Sequence, residues 1–521
     1  MRTTIPLVLA AFGALAVPAP AQPSTCQTVR YRTLDLAPGP ESSPISALLT
    51  HRGRTLVVNN HTTLYSDGRP SVARVYEWDG LRSRLLATPD NFRESLNDNS
   101  IAVLDNTLLL TTGYSIAAMD LTDFSIRRFG PLAAYPARFW PIQTPQGPAV
   151  VFFGRTNAQS GLYIITGTDQ SPRLLMPMAV ASTSTSFVNA VSLGALVMFV
   201  PPVLAELSTW WRTDGTSEGT FRLNDSTFSL YSLRYGTRPV LLRGDENRGD
   251  RIYFGAMFPE PAMNPSSRHT LISSDGTVEG TTPTDVLLIN DHDLGSGAGR
   301  VIVNHARPAG QSPAAILDPV SGSLRPLSAL GPVALSDYAR DTIDAGTHAF
   351  IETQSDSGGR RLWRYEPATE SLTLAVDRFI GAERVIEIHP DHAFGPDGSV
   401  YLNVQLDTGG AVVRSTGSPQ GTCIVARLDA RSVYLAGRPF RFSRLNSRLF
   451  FFGTDAQHGL EPRVLDLCPP DFDNSGEVGV TDLYAFVTDY FSADPAADFD
   501  YDSRLSSKDI FDFLSAWFAG C

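Results

Sequence analysis

WWRTDGTSEGTFRL at 210–223 is followed by TLISSDGTVEGTTP at 270–283 and VVRSTGSPQGTCIV at 412–425, with a looser copy, GLYIITGTDQSPRLL, at 161–175. Each copy sets a turn phrase between two short runs of β-branched and aromatic residues. That pattern marks paired strands, and Asp-Gly between them predicts a tight hairpin in which both central residues take positive φ. The turn glycines Gly167, Gly215, Gly276 and Gly417 are 48, 61 and 141 residues apart, the last gap being three times 47. The longer middle gap holds the proline-rich insertion FPEPAMNPSS at 258–267. The phrase is therefore a repeat, and its first role is turn chemistry.

The strand runs carry the same period. TLVVNN at Thr55, TLLLTT at Thr107, AVVFFG at Ala149, ALVMFV at Ala195, RIYFGA at Arg251, RVIVNH at Arg300, HAFIET at His348, SVYLNV at Ser399 and RLFFFG at Arg448 recur about every 49 residues. Between them lie Gly, Pro, Asp and Ser clusters, and a 3.6-residue helical period is nearly absent. A recurrence of that length made entirely of strands predicts four-stranded units stacked as a repeat architecture. The chain is 521 residues long, more than one small core can organise.

The DGTxxGT phrase resembles the ELWxSDGTxxGT repeat of exported bacterial proteins, and FFGTDAQHGLEPRVLD at 451–466 resembles the strand and loop that precede it there. The resemblance implies a β-propeller. Most propellers have four to eight blades; nine hairpin starts are counted here, so eight or nine blades are expected across 27–467. The last repeat stops at Asp466 before its final strand, while VRYRTLDL at 29–36 resembles the missing piece. The N-terminal stretch is expected to complete the last blade and cover its open edge.

Charge and termini narrow the function classes. Net charge is −12 with pI near 5.2, and Lys508 is the sole lysine. Such a chain offers no basic track for a phosphate backbone, so nucleic acid is not an expected partner. Arg2, an apolar stretch from Ile5 to Val17 and Ala19-Pro20-Ala21 read as an export signal over 1–21. The apolar stretch is too short to span a bilayer, which needs roughly 20 residues. An exported chain, extracellular or at the cell surface and without a transmembrane anchor, is expected to form disulfides. Cys468 and Cys521 bracket the C-terminal phrases and are the natural pair; Cys26 and Cys423 form the other or stay free.

The long middle shows no HExxH, GxSxG or P-loop motif. GSGAG at 295–299 precedes a strand and is read as a turn. His292, His389 and His392 could contribute to a metal site, but solvated turns are the simpler reading. The carboxylates are plentiful enough for a glycosidase-like pair on one propeller face, yet abundance does not establish convergence.

The C-terminal stretch is more specific. DFDNSGEVGVTDLYAFVTDYF at 471–491 and DFDYDSRLSSKDIFDFLSAWF at 498–518 are near copies offset by 27 residues. On a twelve-residue calcium loop, oxygen ligands fall at positions 1, 3, 5, 7, 9 and 12. The first copy offers Asp471, Asp473, Ser475, the Glu477 carbonyl, Gly479 through water and Asp482. The second offers Asp498, Asp500, Asp502, the Arg504 carbonyl, Ser506 and Asp509. Two structural calcium ions are the expected cofactors. After each loop an apolar stripe repeats: Leu483, Phe486, Val487, Tyr490 and Phe491, then Ile510, Phe513, Leu514, Trp517 and Phe518. Two helices that bury these stripes against each other would form a small pseudo-twofold unit over 468–521. A Cys468–Cys521 bridge would add about 4 kcal/mol on the chain-entropy model.

These loops resemble type I dockerins, and Gly520-Cys521 resembles the GC-type variant found on exported bacterial proteins. Loop position six is Gly476 in the first copy but Ser503 in the second, where a positive φ costs about 1 kcal/mol and weakens the site. The resemblance implies docking onto a cohesin-like or cell-surface protein, in assemblies that often degrade polysaccharide. It assigns the partner face to Val480, Thr481, Ser507 and Lys508. The leading expectation is a non-enzymatic propeller that binds a ligand or partner and is tethered through this unit. The alternatives are a carbohydrate-active hydrolase or lyase on the same tether, and a purely structural surface protein.

Overall fold

The structure is a computed structural model. It describes residues 31–34 and 45–520, apart from 52–53, 62–71, 79–82, 88–100, 113–114, 130–138, 156–158, 167–170, 179–189, 194, 202–208, 224–238, 245–248, 258–268, 290–293, 306–312, 356–357, 396, 429–441, 456–458, 501 and 503. The export-signal reading, Gly167, His292, Cys26, Cys521, Ser503 and the proline-rich insertion fall outside the described residues.

The chain is mainly β. Its strands form nine antiparallel sheets in sequence order, eight of four strands and one of five. They are the blades of a nine-bladed propeller: 45–87, 101–129, 140–177, 190–222, 240–288, 295–326, 338–376, 379–428, and 443–466 joined by 31–33. Blade 8 gains its fifth strand from the short pairing of Phe379–Ile380 with the start of Glu383–Phe394.

The nine apolar runs all land on the same place in the blade, the strand next to the innermost one. Leu108, Leu109 and Leu110 are wholly buried there in blade 2, as are Val150, Val151, Phe152 and Phe153 in blade 3. A strand with a neighbouring blade on each face buries both sets of side chains, so it reads as a continuous apolar run without alternation. Alternate residues serve alternate seams: Leu56 and Val58 pack with Leu108 and Leu110 of blade 2, while Val57 packs with Phe450 and Val464 of blade 9. Every seam between consecutive blades holds one such cluster, including the seam from blade 9 to blade 1. The ring therefore closes through side-chain packing.

It also closes through the backbone. Tyr31–Thr33 pairs antiparallel with Arg463–Leu465, with Tyr31 opposite Leu465 and Thr33 opposite Arg463. The Leu34 amide continues the ladder to the Pro462 carbonyl at 2.9 Å. The N-terminal strand thus supplies the strand that the last repeat lacks.

The repeated turn differs from the expected two-residue hairpin. Gly215, Gly276 and Gly417 have φ of +86°, +84° and +94°, but the preceding Asp214, Asp275 and Thr416 do not lie at positive φ. The loop spans 214–220 between Trp211–Thr213 and Phe221–Arg222, and its side chains shape it. Asp214 Oδ1 accepts from the Thr216 amide at 2.9 Å and from its hydroxyl at 2.6 Å, and Thr216 Oγ1 accepts from the Gly219 amide at 2.9 Å. Asp275, Thr277 and Gly280 repeat these three bonds at 2.9, 2.7 and 2.9 Å. A hydroxyl pair closes the base of each loop at 2.7 Å: Thr213 with Thr220, Ser274 with Thr281, Ser415 with Thr422. The aspartate spacing thus encodes an Asx turn within a wider loop.

The turns also fasten neighbouring blades. A Cβ on Gly276 would lie 2.7 Å from Leu196 Cδ1 of blade 4, and one on Gly215 would lie 2.8 Å from Thr144 Cγ2 of blade 3. Arg212 donates to the Gly276 carbonyl at 3.0 Å, and Arg364 to the Thr416 carbonyl at 2.9 Å. GSGAG is likewise more than a turn. Gly295–Gly297 is the inner strand of blade 6, and a Cβ on Gly295 would meet Thr342 Oγ1 of blade 7 at 2.0 Å.

Two α-helices occur among the described residues, α1 (Val480–Phe491) and α2 (Ser507–Ala519), both C-terminal to the propeller. No described helix is long and apolar enough to cross a membrane.

Candidate metal centres

Each DFD phrase forms a loop that turns into a helix. Asp471, Asp473 and Asp482 bring one carboxylate oxygen each within 4.8 Å of one another, and Asp498, Asp500 and Asp509 do the same in the second loop. Sequence spacing assigned these six residues to positions 1, 3 and 12 of the two loops. Glycine meets the sharp bend of the first loop, where Gly476 takes φ of +98°.

The last aspartate of each loop braces both ends of its wrap. Asp482 accepts from the Asp473 amide at 3.0 Å and the Gly479 amide at 2.7 Å. Asp509 accepts from the amides of Phe499 and Ser506, both at 2.8 Å. Both carboxylates are fully buried and sit in the first turn of their helices, where the helix dipole favours negative charge. Asp471 accepts from the amides of Ser475 and Gly476 at 2.9 and 3.0 Å, which folds the loop back over its first ligand.

The remaining assigned residues divide. Ser475 Oγ donates to the Glu477 carbonyl at 3.1 Å, so both face the same bend. Asp502 accepts from the Arg504 amide at 2.8 Å and is not part of the converging group. Ser506 caps α2, accepting from the Lys508 amide at 3.2 Å. Lys508 reaches back to Asp500 at 2.7 Å and to Asp512 at 2.5 Å. Val480, Thr481, Ser507 and Lys508 are all exposed at the starts of the two helices.

The donor set fits a hard divalent cation. Burial, reinforced by the charge of Asp473 nearby, pushes the Asp482 carboxyl above its ordinary range despite its backbone hydrogen bonds. Burial also acts upward on Asp473, but hydrogen bonds from Ser475 and Thr481 outweigh it and hold that carboxyl low. Three converging carboxylates repel one another, and a cation coordinated by all three removes the repulsion. Neither His389 nor His392 belongs to a converging group of three among the described residues. His389 lies buried at the seam of blades 7 and 8 beside Glu352 and Asp341.

Four phenylalanines hold the two loop-helix copies together. Phe486 of α1 and Phe513 of α2 stack at 4.1 Å with planes 3° apart. Phe472 meets Phe486 edge-on at 5.4 Å and Phe513 at 6.1 Å; Phe499 meets Phe513 at 5.5 Å and Phe486 at 6.1 Å. These near-equal pairs place a twofold axis through the stack. The stripes differ from expectation at their ends: Phe491 and Phe518 are 80% and 79% exposed. Ala496 and Ala497 are buried in the same cluster as Phe472.

Neither Cys423 nor Cys468 is a free thiol, and both are buried.

No family model matches the chain, and no curated protein matches it. Solved structures do. The β-propeller domain of the Trilobed protease from Pyrococcus furiosus is 11% identical, with TM-score 0.34, over 75% of this chain and 97% of that one. Saccharomyces cerevisiae Sqt1 is 12% identical, with TM-score 0.39, over 78% of this chain and 100% of its own. The acylaminoacyl peptidase of Pyrococcus horikoshii is 11% identical, with TM-score 0.33; the match covers 79% of this chain but 57% of that one. At these identities the likeness concerns the fold alone.

Proposed function

We propose that this protein is an exported display or binding propeller, held on a partner protein by a calcium-loaded, dockerin-like unit at 468–521. The observation that carries the reading is the duplication of a complete constellation. Three carboxylates, a bracing terminal aspartate, a helix start and a phenylalanine pair recur 27 residues apart about one axis. Oxygen donors wrapped at this spacing suit calcium, which accepts six to eight of them. A bridge from Cys468 to Cys521 belongs to the same proposal, as a staple on a unit with a small core.

The partner face follows from what the duplication leaves uncovered. Val480 is 57% exposed, and Tyr484 and Phe511, equivalent positions on the two helices, are 69% and 66% exposed. Apolar side chains at the starts of paired helices suit a protein partner of cohesin type. Catalysis has no specific observation in its favour. A glycosidase needs two carboxyl groups about 5 to 10 Å apart across a substrate, whereas the buried Glu352 and Asp337 are each held by an arginine, Arg360 and Arg361, at 2.8 and 3.2 Å.

Titration calorimetry on the full chain tests the metal, and capture on immobilised cohesin modules with calcium or with chelator tests the tether. Two bound calcium ions and calcium-dependent capture are expected. Absence of calcium binding removes the reading.

A further inference from the structure

A tether is usually pictured as a separate module on a linker, but this one is fastened to the closing blade. The Ser447 amide and hydroxyl donate to Asn474 Oδ1 at 3.2 and 3.0 Å, and Asn446 Nδ2 donates to the Asn474 carbonyl at 2.6 Å. Asn474 sits at position four of the first loop, between two assigned ligands, with φ of +56°. Arg448, 5% exposed, donates to the carbonyl of Phe472, which lies between Asp471 and Asp473, at 2.9 Å. Residues 446–447 form the turn between the two inner strands of blade 9, and Arg448 begins the second of them. That turn therefore contacts the wrapped backbone of the first loop.

The same residues reach the ring's closure. Arg448 Nε donates to Asp466 at 3.2 Å, and Asp466 ends the strand that pairs with Tyr31–Thr33. Arg32 of that closing strand approaches Asp466 at 3.9 Å and donates to the Ala496 carbonyl, between the two loops, at 3.4 Å. One chain of contacts joins the first loop, the turn of blade 9, Asp466 and the N-terminal strand.

We propose that the first loop is a cation-dependent clamp on the propeller: calcium bound at 471–482 stabilises the pairing of Tyr31–Thr33 with Arg463–Leu465. Ordering of the loop fixes the Phe472 carbonyl and the Asn474 side chain, and these fix Arg448 and Ser447. The inference rests on the calcium reading above, since a cation shared by the three converging carboxylates is what would tighten the loop beyond its own hydrogen bonds. It adds that the two loops are unequal, because blade 9 residues 446–448 donate these hydrogen bonds to the first.

Hydrogen–deuterium exchange on the full chain, with calcium and with chelator, tests the clamp beside calorimetry on the same sample. At calcium 100 times its dissociation constant, a fully coupled site slows exchange of the closing-strand amides by up to about 100-fold. Slower exchange is expected at Tyr31–Thr33 and Arg463–Leu465, with no change at Trp211–Thr213 of blade 4. Asn474→Gly keeps the ligands and tolerates the positive φ but removes both bonds from Ser447, so it should retain calcium while losing part of that protection. Asp473→Ala should abolish the protection, and Asp500→Ala should leave most of it. Calcium binding without any change at the closing strand overturns the clamp and leaves the metal reading standing; a flat calorimetric trace overturns both.

Discussion

Phe486 and Phe513, equivalent residues on two helices, stack face to face at 4.1 Å on the axis that relates the two acidic loops. Each ring also meets both loop phenylalanines, so the stack connects both candidate metal loops to one core. Phe486→Ala is therefore expected to destabilise the C-terminal unit by about 3 to 5 kcal/mol, as truncation of a buried phenylalanine does. A double-mutant cycle with Phe513→Ala should return a coupling of about 0.5 to 1.5 kcal/mol. Denaturant melts followed by Trp517 fluorescence check both, and purely additive effects would refute the stack's role.

Gly276 and Gly299 separate two reasons for glycine. Both have positive φ, +84° and +71°, but a Cβ on Gly276 meets Leu196 at 2.7 Å while one on Gly299 meets nothing within 4 Å. Gly299→Ala should cost about 1 kcal/mol from backbone strain alone. Gly276→Ala should cost clearly more, the excess measuring the contact between blades 4 and 5. Equal shifts in melting temperature would show that the turn does not fasten the blades.

Glu352 gives the propeller a pH dependence of defined sign. Its carboxyl is buried, and the loss of solvation pushes it up to about 8 even against Arg360. Below the ordinary carboxylate range both folded and unfolded chains hold this proton; between that range and about 8 the folded chain keeps it and the unfolded chain releases it. The contribution is therefore complete at acid pH and declines as pH rises to about 8, by at most about 1.4 kcal/mol per pH unit. Glu352→Gln should flatten the stability profile over that window. An unchanged slope in urea melts between pH 5 and pH 8 would refute the assignment.

Lys508, the only lysine in the chain, pairs with Asp500 at 2.7 Å and so competes with a cation for that carboxylate. Lys508 is exposed, so solvent screens the pair and the competition is modest. Lys508→Gln should accordingly tighten calcium binding at the second loop by up to about fivefold and leave the first unchanged. Two-site calorimetry distinguishes the loops once Asp473→Ala has removed the first.

Much of the architecture is legible along the chain because one strand in each blade is buried on both faces. Runs such as AVVFFG at Ala149 and RLFFFG at Arg448 carry no polar alternation and therefore mark the blades directly. The closing strand is legible for a related reason: VRYRTLDL at Val29 repeats a pattern that the last unit lacks. The turn departs from its local signal because Asp-Gly usually marks a two-residue hairpin, whereas here the aspartate side chain binds backbone within a loop of seven residues, 214–220. Phe491 and Phe518 fit the helical stripe by period, yet both rings are exposed, while Ala496 and Ala497 are buried in the cluster with Phe472.

The sequence by itself determined the repeat, its period and the spacing of the six aspartates that converge, because each is set by local periodicity. The tertiary structure alone decided the number of blades, the twofold stack of Phe486 on Phe513 and the seating of the first loop on blade 9. Those depend on contacts such as Arg448 with the Phe472 carbonyl and Arg32 with Asp466, made between residues far apart in the chain. No local pattern encodes them, since an arginine in a strand looks the same whether it meets water or a neighbouring loop.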